Sequence, residues 1–324
     1  MKLRNILGAL GLIALAVVAY LNRNEFTNVW NILLHIRWYF LVLVACVQVA
    51  SYWINGLYYR SILKIFGYHV GVRRLFEGAL ATNFVNYVLP SAGIAGAGYL
   101  SQVLSPDVPR GESVLTQLMR YAFSGLAVIV TAPVGIGLLL AGKHAANPVL
   151  RATVISAAAI TLLSLMLAAL VEQKQWILRM VGWIASLSKH ISKRLDTTKV
   201  TKFTEEFYAG WHRLTSEKRK IFVPFKWSIL YIAVEIGTFY MVFLAFGDEV
   251  NFGIAVLAYL FANIASIFGG VFFSTGVFEV GMAGTLVALG SPIALASSVT
   301  IVYRAVNLLV GLPTGYYFYR KYLP

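Results

Sequence analysis

Four charged side chains lie within long apolar stretches of the sequence, where a charge is costly and therefore informative. They are two arginines and two glutamates: Arg120, Glu235, Glu279 and Arg304. An arginine at the centre of a membrane costs about 2.5–3.5 kcal/mol on insertion scales, so it must face a partner or water. A guanidinium matches the geometry of a phosphate group. These side chains are therefore candidates for binding the polar headgroup of a lipid.

Arg304 and Glu279 occupy positions from which they could pair. Arg304 lies eleven residues into an apolar stretch that begins at 293, near the middle of a membrane helix that rises about 1.5 Å per residue. Asn307 follows on the same helix face. Glu279 comes directly after a glycine-containing break, where the free N–H groups of a half-helix favour a carboxylate. The pair is either a gate that exchanges with a headgroup or a permanent structural ion pair, and the sequence leaves both open.

The other embedded polar residues each have a functional and a structural interpretation. Glu235 could carry a proton, pair with an arginine or form a hydrogen bond between helices. Arg120 could extend its long side chain to the inner surface, and we treat it as structural. Three asparagines precede the two breaks at membrane depth: Asn83, Asn86 and Asn263. They could bind a headgroup, but capping the free backbone of broken helices is the favoured role.

The composition is far more apolar than that of a soluble protein. Of 324 residues, 59% are hydrophobic and 12% are charged, the mean hydropathy is +0.74 and the net charge is +14. Soluble domains have about 45–50% apolar and about 25% charged residues. A water-soluble enzyme or a nucleic-acid-binding protein is therefore excluded, and the basic excess is typical of cytoplasmic loops in a membrane protein.

Groups that hold metals or nucleotides are missing from the sequence. Cys46 is the single cysteine, and the five histidines are not spaced as pairs of metal ligands. There are three aspartates, and neither a P-loop nor a GxSxG motif occurs. We therefore expect no metal, no cofactor and no enzymatic activity.

Six apolar stretches have about 20 residues, which is enough to cross the hydrocarbon core of a membrane. The first could be a secretory signal, but we favour an uncleaved helix. The six stretches lie at 5–21, 38–58, 113–140, 149–171, 222–246 and 293–318.

Two further segments, 76–104 and 252–290, are rich in Gly, Ser, Asn and Phe and are each broken near the middle. Lys and Arg are concentrated in residues 59–74 and 172–221, which the positive-inside rule places in the cytoplasm. Segment 76–104 must then start and end on the cytoplasmic side as a re-entrant hairpin, and segment 252–290 opens outward. The breaks are at Pro90 and Gly93 in the first segment and at Ser274, Thr275 and Gly276 in the second.

The sequence thus predicts an all-α polytopic membrane protein with about eight crossings, the two broken hairpins and both termini in the cytoplasm. We expect one membrane domain, 1–324, with a basic amphipathic loop, 172–221, between its halves. Helical spacing of apolar residues predicts one amphipathic helix at 177–195 on the inner membrane surface and a second at 203–220. This loop could bind anionic lipids, although a topology-setting role for its charge is favoured.

The two halves of the chain share a local pattern. Ser91 begins the sequence SAGI 29 residues before Arg120, and Ser274 begins STGV 30 residues before Arg304. Two broken hairpins of opposite orientation, each followed by an arginine-bearing helix, are typical of transport folds built from inverted repeats. The sequence therefore predicts an inverted repeat, and Ser274 and Thr275 join the candidate binding residues.

These motifs resemble the flippase-like transmembrane domain of lysylphosphatidylglycerol synthases. The resemblance is carried by NYVLPSAGIAGAG at 86–98, by GVFEVG at 276–281 and by the dipeptide Tyr303-Arg304. Ser274-Thr275 stands where that family is expected to have Pro-Gly, and no arginine follows Gly98 closely. These differences leave the identity of the substrate open.

The resemblance implies lipid translocation without lipid synthesis, because the aminoacyl-transferring domain of those synthases has no counterpart here. We expect a flippase of the inner membrane that moves a phospholipid or aminoacyl-phospholipid between leaflets. Its partners would be membrane lipids and a separate lipid synthase, without nucleic acid, and its oligomeric state is open. The alternative is a membrane enzyme or accessory protein that acts on polyisoprenyl-phosphate-linked sugars.

Overall fold

The computed structural model describes residues 36–89, 93–141, 197–217, 219–269 and 276–322. These residues form helices and short connections without strands, which confirms the all-α membrane fold. The predicted spans 5–21 and 149–171, the amphipathic helix at 177–195 and residues Pro90, Ser274 and Thr275 lie outside the described residues. The helices are α1 Trp38–Ile65, α2 Val72–Val88, α3 Ile94–Leu104, α4 Arg110–Ala141, α5 Thr197–Ser216, α6 Phe222–Ala245, α7 Phe252–Gly269, α8 Val277–Ala288 and α9 Ile293–Lys321.

Four of these helices are long and apolar enough to cross a membrane. They are α1, α4, α6 and α9, with 28, 32, 24 and 29 residues. At about 1.5 Å per residue, each exceeds the hydrocarbon thickness of about 30 Å. They correspond to four of the six predicted spans, and they make the chain a multi-pass membrane protein.

The first broken segment folds as the hairpin α2–α3. Gly78 on α2 lies against α3, where a Cβ atom would be 3.3 Å from a side-chain methyl of Val103. Arg74 joins the two ends of the hairpin by an ion pair with Asp107 and a hydrogen bond to the Val103 carbonyl. With 11 residues, α3 is too short to cross a membrane, so the segment returns to the end at which it started.

The second broken segment forms the hairpin α7–α8 in the same manner. Gly281 on α8 faces α7, where a Cβ atom would be 2.9 Å from the Cβ of Ala265. The helices have 18 and 12 residues, and the second is again too short to span. Both predicted hairpins are therefore present.

The two hairpins enter from opposite ends of the molecule. The chains of α1 and α6 run antiparallel, because the Arg37 N–H at the start of α1 donates to the Ala245 carbonyl at the end of α6, at 2.7 Å. Leu104, at the base of the first hairpin, packs in one cluster with the end of α1. Leu289, at the base of the second, packs in another cluster with Phe243 near the end of α6. The second half is thus inverted relative to the first.

Helix packing follows a twofold relation between the halves, which exchanges α1 with α6, α2 with α7 and α4 with α9. Helix α1 packs against α6. Helix α2 packs against α9 as α7 packs against α4, and α9 contacts α1 as α4 contacts α6. Glycines permit the close approach in both crossed pairs. A Cβ atom on Gly315 of α9 would lie 2.6 Å from the Phe84 Cβ of α2, and one on Gly135 of α4 would lie 2.7 Å from a Val256 methyl of α7.

Helix α5 differs from the predicted helix at 203–220, because it begins at Thr197 and ends at Ser216. The basic residues after it belong to the turn before α6, where Lys220 pairs with Glu217 at 2.9 Å. Helix α5 packs on the start of α4, and its Arg213 donates to the Phe66 carbonyl at 2.7 Å.

A buried carboxylate joins the end of α9 to α2. Glu77 accepts hydrogen bonds from Lys321 Nζ at 2.6 Å, from the Tyr322 hydroxyl at 2.7 Å and from Arg73 Nε at 3.3 Å. Burial and the hydrogen bond to Glu77 raise the pKa of Tyr322 to about 12, so its hydroxyl stays protonated at neutral pH. This cluster fixes α9 to the first hairpin at the end where that hairpin begins.

Candidate functional site

Arg304 on α9 and Glu279 in the first turn of α8 form an ion pair. The Arg304 Nε lies 2.8 Å from the Glu279 Oε1, and the two side chains are 19% and 23% exposed. Among the described residues, the buried Nε–H finds no aligned hydrogen-bond acceptor, so the contact with Glu279 is held by charge and not by a directed bond. Sequence reasoning placed these two residues in one site, and the structure brings them together.

The second oxygen of Glu279 holds the start of α8. Gly276 adopts a φ of +104°, a conformation that glycine takes without strain, and its N–H donates to Glu279 Oε2 at 2.8 Å. One carboxylate therefore caps the broken helix with one oxygen and pairs with Arg304 through the other. A ligand could replace the carboxylate at Arg304 without disturbing the cap.

Aromatic rings flank the guanidinium of Arg304. Its central carbon is 5.0 Å from the ring centre of Tyr87, near the end of α2, and 5.5 Å from that of Phe278 on α8. The tips of both hairpins thus meet at Arg304. Neither ring was among the predicted site residues, although both lie in the two motif segments directly beside a break.

Glu235 is a buried carboxylate at the junction of α1, α6 and α9. It accepts hydrogen bonds from the Tyr303 hydroxyl at 2.7 Å and from Gln48 Nε2 at 3.1 Å. Among the three interpretations left open by the sequence, this geometry is that of a hydrogen bond between helices. Tyr303 precedes Arg304 in the chain, and its ring stacks on Phe278 at 6.4 Å. Glu235 is therefore linked to the ion pair through one neighbouring residue, and Gln48 and Tyr303 are site residues that sequence reasoning missed.

The Arg120 side chain makes its contacts with neighbouring helices. Its Nε donates to the Oδ1 of Asn55, a buried residue of α1, at 2.9 Å. Its guanidinium carbon lies 5.7 Å from the ring centre of Tyr121 and 5.5 Å from that of Tyr231 on α6. The side chain is partly exposed while it faces two neighbouring helices. It is therefore an interior cation.

The asparagines of the first hairpin hold its local structure. Asn86 Oδ1 accepts from the N–H of Gly96 at 3.1 Å in the first turn of α3, which is the capping role expected from the sequence. Gly93, at the break, has a φ of +85°. Asn83 Nδ2 donates to the Tyr52 hydroxyl of α1 at 2.7 Å.

The remaining two amides bind their own helices. Asn263 Nδ2 donates to the Tyr259 carbonyl at 2.8 Å, and Asn307 Nδ2 donates to the Tyr303 carbonyl at 3.0 Å. The structure does not bring either amide into hydrogen-bond contact with Arg304 or Glu279. Within the described part of the chain, no three His, Cys, Asp or Glu side chains lie together as a metal site.

The whole arrangement agrees with a match to a known family. Residues 6–315 match the family model described as the lysylphosphatidylglycerol synthase TM region. The chain belongs to this family. The match covers both hairpins and both arginines, so the short motifs are parts of a relationship that extends over nearly the whole chain.

Two relatives share the membrane character of this chain. A UPF0104 membrane protein of Methanocaldococcus jannaschii is 22% identical over 316 residues, which are 94% of this chain and 90% of the relative. A UPF0104 membrane protein of Methanothermobacter thermautotrophicus is 33% identical over 106 residues, which are 33% of this chain and 32% of the relative. The second match thus spans about a third of that relative's length. No solved structure matches the chain.

Proposed function

We propose that this protein translocates a lipid with a polar headgroup, of the phospholipid or aminoacyl-phospholipid type, between the leaflets of the inner membrane. One observation carries the proposal: two hairpins that enter from opposite ends meet at a partly exposed ion pair between Arg304 and Glu279. A charged pair at this depth is costly unless it serves a polar ligand or a partner. Family membership supports a lipid-related role in the membrane.

The chemistry of binding follows from the geometry of the pair. Because the Arg304 Nε–H is not directed at Glu279, a phosphate oxygen can take an aligned hydrogen bond in place of the carboxylate. Glu279 then keeps its bond to the Gly276 N–H, and α8 remains capped. The headgroup is held between the hairpin tips while its acyl chains stay in the lipid.

Movement across the membrane follows from the inverted halves. In folds of this type, one repeat tilts against the other around a fixed central site, which opens to each side in turn. Uphill transport requires coupling to an ion or a proton, and Glu235 and Glu279 are the carboxylates that face this junction. A passive scramblase requires neither. With both termini in the cytoplasm, α5 and the basic turn after it lie at the inner surface.

The proposal is tested with purified protein in liposomes that contain headgroup-labelled fluorescent phospholipids. An impermeant reductant bleaches the outer label at once, and the protein is expected to accelerate bleaching of the inner label over protein-free liposomes. If none of the labelled lipids offered is accelerated, the proposal fails. Mass spectrometry of the same vesicles is expected to find unmodified lipids, whereas a new lipid product would identify an enzyme.

Replacing Glu279 with glutamine distinguishes two interpretations of its ion pair with Arg304: a gate that exchanges with a headgroup and a permanent structural pair. Glutamine keeps an oxygen for the Gly276 N–H but removes the charge that competes for Arg304. If the pair exchanges with a headgroup, the variant is expected to bind short-chain phosphatidylglycerol in detergent about threefold to tenfold more tightly, an effect of about 0.7–1.4 kcal/mol. A titration followed by calorimetry measures this. Equal affinity together with a lower unfolding temperature would show that the pair is structural.

A further inference from the structure

The twofold relation between the halves makes Arg120 the counterpart of Arg304. Arg120 comes ten residues after Arg110, the first residue of α4, and Arg304 comes eleven residues after Ile293, the first residue of α9. Both helices follow a short half-helix that begins after a glycine with positive φ. The two cations thus lie at similar depths, measured from opposite ends of the protein.

The carboxylate that pairs with Arg304 has no equivalent in the first half. Glu279 is the third residue after Gly276, and the third residue after Gly93 is Gly96. The Asn86 side chain occupies the space that a side chain at position 96 would need. A Cβ atom on Gly96 would lie 2.2 Å from the Asn86 Oδ1. Among the described residues, no Asp or Glu oxygen lies within 4.0 Å of the Arg120 guanidinium.

Arg120 retains unused hydrogen-bonding capacity. Its Nε donates to Asn55, but its two terminal nitrogens donate to none of the residues that the structure describes. Tyr58 lies one turn beyond Asn55 on α1, and its hydroxyl is buried without a hydrogen-bond partner there. Glu235 is engaged by Gln48 and Tyr303 instead of Arg120. The fork of a guanidinium binds a phosphate through two parallel hydrogen bonds, and the two terminal nitrogens are free to do so.

The surroundings of Arg120 also disfavour a second positive charge. The faces of Tyr121 and Tyr231 are the natural places for a cationic amine, and the guanidinium already lies over both. The nearby carboxylate is that of Glu235, and both of its oxygens already accept hydrogen bonds, from Gln48 and Tyr303. The ammonium of a choline or ethanolamine headgroup would therefore lie closest to the positive charge of Arg120. Like charges repel strongly in a medium of low dielectric constant.

We propose that Arg120 is a phosphate-binding site and that it makes the protein selective for lipids whose headgroup has a net negative charge. This inference rests on the proposed function and deepens it, because it selects the anionic phospholipid from the two lipid types proposed there. An aminoacyl-phospholipid carries an additional amine and is disfavoured at this site. Arg304 is neutralised by Glu279 and binds the phosphate only when the phosphate displaces that carboxylate. Arg120 binds the phosphate without displacing a carboxylate. The two halves therefore hold the same phosphate with unequal strength, and the first half holds it more tightly.

The test compares labelled phosphatidylglycerol with labelled phosphatidylcholine of equal acyl chains in the liposome assay. The unmodified protein is expected to move phosphatidylglycerol faster. In Arg120→Gln, which keeps a donor for Asn55, movement of phosphatidylglycerol is expected to fall by about tenfold, while phosphatidylcholine changes by less than about twofold. Arg110→Gln is the matched control, because it removes one positive charge from an exposed position on the same helix. It is expected to leave both rates unchanged.

A binding measurement separates this inference from the proposed function. Dihexanoyl phosphatidylglycerol is expected to raise the unfolding temperature of the detergent-solubilised protein, and Arg120→Gln is expected to lose that rise. If the unmodified protein moves neither lipid but shows this Arg120-dependent shift, translocation is wrong and the phosphate site stands. If both lipids move equally, or if Arg120→Gln slows both alike without loss of the shift, the selective site is wrong and translocation stands.

Discussion

Replacing Arg304 with alanine is expected to slow lipid movement between leaflets by about tenfold or more, because a charge-assisted hydrogen bond of about 1.5–3 kcal/mol is lost. Arg304 is the cation at which both hairpin tips meet, and its removal leaves these tips without a guanidinium donor for a phosphate oxygen. The measurement is the rate at which inner-leaflet label is bleached in liposomes with equal amounts of protein.

Loss of Arg304 also leaves Glu279 without its counter-ion, which could unfold the site and imitate a transport defect. The double variant Arg304→Ala and Glu279→Gln removes both charges and keeps an oxygen for the Gly276 N–H, so it is expected to recover the unfolding temperature without recovering transport. Arg304→Lys keeps the charge but not the planar fork, and an intermediate rate is expected. Rapid transport by a well-folded Arg304→Ala protein would contradict the central role of this side chain.

Replacing Gly315 with alanine is expected to lower the stability of the protein by about 1–3 kcal/mol, the range found for overpacked cores. The new Cβ atom would lie 2.6 Å from the Phe84 Cβ and 2.7 Å from the Leu80 carbonyl oxygen of α2. The Leu80 oxygen belongs to the backbone and cannot rotate away, so α2 and α9 must separate. Thermal unfolding in detergent measures the effect.

Gly237 provides the matched control for Gly315. It lies within α6, and a Cβ atom there would meet nothing within 4 Å. Gly237→Ala is expected to leave stability unchanged or to raise it by up to about 1 kcal/mol, because alanine favours helix over glycine. Equal unfolding temperatures for the two variants would show that the contact between α2 and α9 does not limit stability.

The positions of the long helices and of both hairpins could be predicted from the sequence, because each depends on local composition. A run of apolar residues indicates a membrane span, and glycine with serine or proline at membrane depth indicates a break in a helix. The pairing of Arg304 with Glu279 was also predictable. Both are charges at membrane depth, and one follows a break that leaves helix N–H groups free.

Contacts between distant segments could not be predicted in this way. Glu235 finds Gln48, 187 positions earlier in the chain, only after α1 and α6 have packed antiparallel. Tyr87 lies over Arg304 because two hairpins meet, and aromatic residues are too common in this sequence for one to stand out. The end of α5 was misplaced because a basic run suits both a helix end and the turn after it.

The crossed packing of the halves constrains how the protein can move. The first hairpin is bound to α9, which bears Arg304, through Gly315 and the Glu77 cluster, and the second is bound to α4, which bears Arg120, through Gly135. Displacement of either hairpin therefore carries along the arginine helix of the opposite half. If the protein moves lipid as proposed, this coupling is expected to widen one entrance as the other narrows, so that an unbroken leak for ions is avoided during each cycle.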